Sequence, residues 1–80
     1  MLHNNQTPIG TNIKKWRAVK GFTQKEFAQL LGISKSSISK IEKNKQQLTV
    51  PRLHQIADCL QINTLQLFVD PLNLIPEEKE

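Results

Sequence analysis

The stretch TQKEFAQLLGISKSSISKIEKN, residues 23–44, decides how this chain folds. Its start has the form of a capping box. The Thr23 hydroxyl can accept from the amide three residues on, while the Glu26 carboxylate reaches back to the Thr23 amide. Phe27, Ala28 and Leu31 then make an apolar stripe, which predicts a helix over Gln24–Leu31. Gly32 suits the left-handed residue that ends a helix, and Ser34 can cap the next one. The next segment is ambiguous. Four serines in six residues, 34–39, suggest a loop, because serine competes with a helix by bonding to the local backbone. Yet Ile38 and Ile41 stand three apart, which is helical spacing.

A helical wheel at about 100° per residue separates the two readings. With Lys35 at zero, Ser39 falls near ~40°, Lys43 near ~80°, Ser36 near ~100° and Lys40 near ~140°. Ser34, Ile38 and Ile41 cluster at about 240–300°. A loop has no reason to sort its residues into a narrow apolar edge and a wide face of hydroxyls and ammoniums. The segment 35–43 therefore reads as a third helix. Ser37, near ~200°, falls between the two faces, suited to packing, a local bond or a phosphate.

On the N-terminal side, Ile9, Ile13 and Trp16 recur at four and three, which predicts helix 1 from about Gly10 to Lys20, stopped by Gly21, with Trp16 in the core. On the C-terminal side, Thr49 can cap helix 4, and Pro51 is tolerated in its first turn. Leu53, Ile56, Ala57 and Leu60 form its buried stripe. Asn63 can cap a short fifth helix carrying Leu67 and Phe68, which Asp70-Pro71 breaks. No segment reads as a strand or a repeat. The expected fold is all-α: a compact five-helix bundle with a central helix-turn-helix over residues 9–70, after a flexible N-terminal arm at 1–8. Residues 71–80 are expected to form a tail that first contacts a second subunit and then becomes disordered.

Eighty residues make one small domain, and 38% hydrophobic residues is an ordinary globular composition. One cysteine, Cys59, excludes an internal disulfide framework. No apolar run approaches the ~18 residues of a membrane span, and MLHNNQTPIG has neither the basic start nor the apolar stretch of a signal peptide. A cytoplasmic location follows. The net charge is +4, unevenly spread. Residues 14–45 hold nine Lys/Arg against Glu26 and Glu42, whereas 46–80 hold two against five Asp/Glu. A basic half and an acidic half point to a polyanion on one side. A solvated lysine surface is the blander account of the same charges. His54 and Cys59 are five apart, about 500° on the wheel, and so share no face for a metal. No nucleophile–base set or carboxylate pair suggests an enzyme, and no small-molecule pocket is expected.

Two short helices joined by a tight glycine turn make a helix-turn-helix. The second helix of that motif enters the major groove, which is about 12 Å wide and admits one helix. Short hydroxyl side chains let the backbone come close and can both donate and accept.

The run TQKEFAQLLGISKSSISKIEKNKQQLT, with Ile13 and Arg17 before it and LHQIADCLQI and LQLF after it, resembles the phage-repressor and Cro-like helix-turn-helix proteins, the XRE family. The resemblance covers residues 9–69. It implies sequence-specific double-stranded DNA binding by a transcriptional regulator of repressor type, frequent homodimers on palindromic operators, and no cofactor. Carried onto this chain, it makes Lys35 and Ser36 the principal base-reading positions, with Ser39 and Lys40 one turn further along the groove. Gln24 would contact phosphate and brace the first reading side chain. Asn44 would meet the DNA backbone after helix 3. Lys43 and Lys45 suit general phosphate contacts, and Ser37 is a further phosphate candidate. Arg17 and Glu42 match a family ion pair joining helix 1 to helix 3. The chain departs from the phage proteins, which often carry glutamine at positions 35 and 36. Lys35 can donate to guanine O6 and N7 or hold a phosphate. A second departure is Lys43-Asn44-Lys45, where the family usually shows a glycine.

Leu30, Leu65, Leu72, Leu74 and Ile75 exceed what one small core needs. The segment VDPLNLIP is therefore a candidate for cross-subunit packing, or for folding back over its own core. In a dimer the two recognition helices would lie about 34 Å apart, one DNA turn. The alternative reading is a helix-turn-helix used as a protein-interaction module, such as an antitoxin-like partner.

Overall fold

The computed structural model describes residues 8–74. The expected N-terminal arm, apart from Pro8, and the tail from Ile75 onward lie outside the described residues. Within them, four α-helices follow one another: α1 (Ile9–Val19), α2 (Gln24–Leu31), α3 (Lys35–Glu42) and α4 (Val50–Leu60). Two 3-10 helices, Thr64–Phe68 and Pro71–Leu74, complete the described residues. Among the described residues there is no strand, and no helix is long and apolar enough to cross a membrane.

The expected fifth α-helix is corrected to the 3-10 helix Thr64–Phe68. Asn63 stands at the N-cap of Thr64–Phe68, its amide donating to Gln66 Oε1 at 2.8 Å, and its own side chain makes no cap hydrogen bond. Few residues separate that cap from Pro71, and the residue before a proline is pushed out of the helical region. So short a piece is the usual setting for the tighter 3-10 winding. The Trp16 indole Nε1 donates to the carbonyls of Gln66 and Val69 at 3.0 and 3.1 Å, which secures this turn to α1.

The local signals elsewhere act as their chemistry requires. Thr23 and Glu26 close the capping box reciprocally at 3.0 and 2.9 Å. Gly32 ends α2 in the left-handed region at φ 72°, Ser34 caps α3, and Thr49 caps α4. α4 ends on Gln61 at φ 60°, a left-handed residue with no glycine to announce it.

One core joins the helices: Ile13 and Trp16 from α1, Phe27, Ala28 and Leu31 from α2, Ile38 and Ile41 from α3, Ile56, Ala57 and Leu60 from α4, and Leu67 from the first 3-10 turn. Burying each large side chain contributes about 1.5–3 kcal/mol. α3 packs against both α1 and α2, so its inner edge is committed and its outer face is left to solvent. Asn12 is also fully buried, its amide donating to the Leu67 carbonyl at 3.1 Å.

α1 is further tied to the C-terminal turns by an ion pair, Lys15 Nζ to Asp70 Oδ2 at 2.7 Å. The hydrogen bond from Lys15, and then the Leu72 amide, hold the Asp70 carboxyl below the usual carboxylate range. A depressed carboxyl stabilises the fold above the ordinary carboxylate range, and that contribution is lost as pH falls through the lowered value. Asp70→Asn is therefore expected to lower the urea midpoint at pH 7. Once the pH is below the lowered value and the carboxyl is protonated, it should leave the midpoint close to that of the parent chain. An equal deficit at both pH values would mean that the charge is not what Asp70 contributes.

Candidate nucleic-acid interface

α2 and α3 form the helix-turn-helix, with the left-handed Gly32 letting the chain reverse between them. Ile38 and Ile41 face the core at 0% and 1% exposure, whereas Lys35, Ser36 and Lys40 are exposed. Gln24, Lys35, Ser36, Ser39, Lys40, Lys43 and Lys45 line a single shallow depression across the start of α2 and the outer face of α3. All four expected base readers are thus brought together, with three of the five expected phosphate contacts.

The other two stand apart from it. The Ser37 hydroxyl accepts from Ser34 Oγ at 3.0 Å, and the Ser37 amide donates to that same Ser34 oxygen at 3.0 Å, so Ser37 belongs to the cap of α3. Asn44 takes φ 61°, which asparagine tolerates better than most residues and which accounts for the missing loop glycine. Its Oδ1 accepts from the Gly10 amide at 2.8 Å, and its Nδ2 donates to Thr11 Oγ1 at 3.1 Å. Its own amide donates to the Ile41 carbonyl at 3.0 Å. The Asn44 side chain thus links the loop after α3 to the first turn of α1. Gly10 is the other half of that junction, since a Cβ there would collide with the Ile41 carbonyl oxygen. No local pattern singles out Gly10. The absent loop glycine is the one sequence signal of a special junction.

Beneath the depression lies a saturated charge network. Arg17 Nε donates to Glu42 Oε2 at 2.6 Å, and Nη2 donates to Oε1 at 3.2 Å. Arg17 Nη1 donates to the Phe22 carbonyl at 2.7 Å. Gln24 Nε2 donates to Glu42 Oε1 at 2.9 Å. The Glu42 side chain is only 2% exposed, so an unpaired charge there would be costly. The pair fixes α1 to α3 and also holds the Gln24 amide at the edge of the depression.

Among the described residues, ion pairs form only between Lys15 and Asp70 and between Arg17 and Glu42. Lys35, Lys40, Lys43 and Lys45 therefore present uncompensated charge on one surface, which attracts a polyanion. The chemistry of the remaining polar groups is local. His54 Nδ1 lies 2.7 Å from Thr64 Oγ1, and the Cys59 thiol is pushed up by burial and then by the Asp58 charge. Among the described residues no three His, Cys, Asp or Glu side chains gather as a metal site.

The Helix-turn-helix family model matches residues 13–67 of this chain. The uncharacterized HTH-type transcriptional regulator YazB of Bacillus subtilis (strain 168) is 36% identical over 58 residues, covering 72% of this chain and 84% of that protein. Among solved structures, the master regulator for biofilm formation SinR in complex with DNA is 33% identical, with a TM-score of 0.68 over 74% of this chain and 95% of that one. The restriction-modification controller protein C.Esp1396I is also 33% identical, with a TM-score of 0.68 over 76% of this chain and 80% of that one.

Proposed function

The chain belongs to the XRE-type helix-turn-helix family of transcriptional regulators, and from that premise we propose that it binds double-stranded DNA sequence-specifically as a repressor-type regulator. The observation that carries this is the depression lined by Lys35, Ser36, Ser39 and Lys40 on the outer face of α3, flanked by Gln24, Lys43 and Lys45. Its lysines lack acidic partners among the described residues, and its small hydroxyls let a helix lie close in a groove. Lys35, Ser36, Ser39 and Lys40 read bases. Gln24, Lys43 and Lys45 hold phosphates and set the register. Ser37 and Asn44 contribute through the cap of α3 and the loop geometry, with phosphate contact a lesser role for each. The likeness to SinR, solved in complex with DNA, supports DNA binding.

In this reading the DNA-binding domain spans residues 9–70 and acts as a cytoplasmic homodimer without enzymatic activity. Leu65 and Phe68 stand three apart on the first 3-10 turn, where such side chains align, and are 79% and 54% exposed. Leu72 adds a third apolar group at 61% exposure. Burial of this segment against a second copy would put two α3 helices on an inverted repeat about 34 Å apart. A protein-interaction module is less well supported, since the cores of protein interfaces are depleted in charge and the α3 face is rich in lysine.

Fluorescence anisotropy tests the reading with a selected cognate duplex and a random one, each at two salt concentrations. Affinity for both should fall steeply with salt, as neutralised phosphates release counterions. Lys35→Ala combined with Ser36→Ala should weaken cognate binding by about 1–3 kcal/mol for each base-reading hydrogen bond removed, and random-duplex binding less. Equal weakening on both duplexes would reduce α3 to a phosphate clamp. Salt-insensitive or absent duplex binding would remove the DNA-binding reading altogether.

A further inference from the structure

We infer that the half-site taken by this surface is a guanine-presenting one: two G·C pairs whose guanine N7 and O6 atoms face Lys35 and Lys40. The inference rests on the DNA-binding reading above and names the class of base sequence that the same site accepts.

It follows from the hydrogen-bond chemistry of α3. The exposed ammoniums of Lys35 and Lys40 each carry three donors and no acceptor. Ser36 and Ser39 can work either way. The one carboxylate on the helix, Glu42, is buried and holds bonds from Arg17 and Gln24, so it cannot accept from a cytosine amino group. α3 carries no Asn or Gln for the paired donor and acceptor of adenine. Gln24 belongs to α2, and its Nε2 is already engaged on Glu42. The apolar residues of α3, Ile38 and Ile41, are buried and unavailable to a thymine methyl. The long reading side chains are therefore pure donors.

Of the four bases, guanine alone offers two adjacent acceptors in the major groove with no donor beside them. Adenine places its N6 donor next to N7, cytosine offers a donor, and thymine offers one oxygen beside a methyl group. Two ammoniums held on a rigid helix gain most from guanine and lose most on cytosine. Lys40 follows Lys35 by five positions, a rise of about 7.5 Å along the helix. At ~3.4 Å per base pair, that spacing sets the two guanines about two pairs apart.

The test begins by selecting bound sequences from a random duplex pool with the full chain. Enrichment of two guanines about two pairs apart in each half-site is expected. The selected duplex is then rebuilt with 7-deazaguanine, which lacks N7, or with inosine, which keeps N7 and O6 and loses only the minor-groove amino group. Each 7-deazaguanine should weaken binding about tenfold, and inosine by no more than about twofold. Lys35→Gln should shift the preference at one position from guanine to adenine. A reproducible consensus without guanines at these positions, or full tolerance of 7-deazaguanine, would overturn the inference while leaving sequence-specific binding intact. A pool with no enriched sequence would overturn both.

Discussion

Replacing Glu42 with alanine is expected to destabilise the fold by about 3 kcal/mol or more. Its carboxylate is 2% exposed and takes two hydrogen bonds from Arg17 and one from Gln24. The substitution leaves the Arg17 guanidinium, only 12% exposed, without its counter-charge. Removing one partner of a buried pair costs far more than the pair contributes in net stability, because the remaining charge stays desolvated. For a domain of this size, with a total stability of about 5 kcal/mol at the low end of the usual range, such a loss would remove more than half of it and raise the unfolded fraction to about 3% at 25 °C. Urea denaturation followed by circular dichroism measures it. Glu42→Gln should lose less, since its amide oxygen can still accept from Arg17. The double variant Arg17→Ala with Glu42→Ala should lose less than the two single losses added. Strict additivity would show that the two side chains do not act together. The consequence extends to the interface, because the Gln24 amide is held by the same carboxylate.

Gly10→Ala is expected to cost about 2–4 kcal/mol at this buried position, the opposite of what helix propensity would suggest. Alanine is the better helix former, and in an open helix interior the change would stabilise by up to about 1 kcal/mol. Here the added Cβ would meet the Ile41 carbonyl oxygen and lie 2.6 Å from Asn44 Oδ1. The first obstacle is backbone at the last turn of α3, so no side-chain rotation relieves it. Moving α1 away would break the 2.8 Å bond from the Gly10 amide to Asn44 and loosen the left-handed loop. Thermal unfolding compares the variant with the parent chain. A melting temperature at or above the parent value would rule out the close approach. Adding Asn44→Gly should recover little stability, since it removes the side-chain oxygen and leaves the backbone one in place.

The helix-turn-helix was legible because its determinants are short-range. The capping box closes over three residues, Gly32 acts on its own backbone, and Ile38 and Ile41 share a face through helical geometry alone. The same periodicity put Lys35, Ser36, Ser39 and Lys40 outward. It also isolated Glu42 as a charge beside the core in need of a partner, and the resemblance supplied Arg17. The fifth helix reads as α in the sequence because a cap and two apolar residues cannot tell one hydrogen-bonding pattern from another over five positions. Its 3-10 winding depends on Pro71 and on the Trp16 indole drawing the turn carbonyls toward α1.

By itself, then, the sequence determined the four α-helices, the turn between α2 and α3, and the division of α3 into a core edge and a polar face, since caps, turns and periodicity act within a few residues. Only the tertiary structure decided what joins those pieces. Asn44 bonds a glycine 34 positions away, Asn12 a carbonyl 55 away, and Gln24 a carboxylate 18 away. Such pairings depend on how the helices cross, and the crossing follows from close packing of the whole core, which no local pattern encodes. That is why the seven side chains that line the depression could be named along the chain, while the bridge made by Asn44 and the need for Gly10 emerged only from the folded molecule.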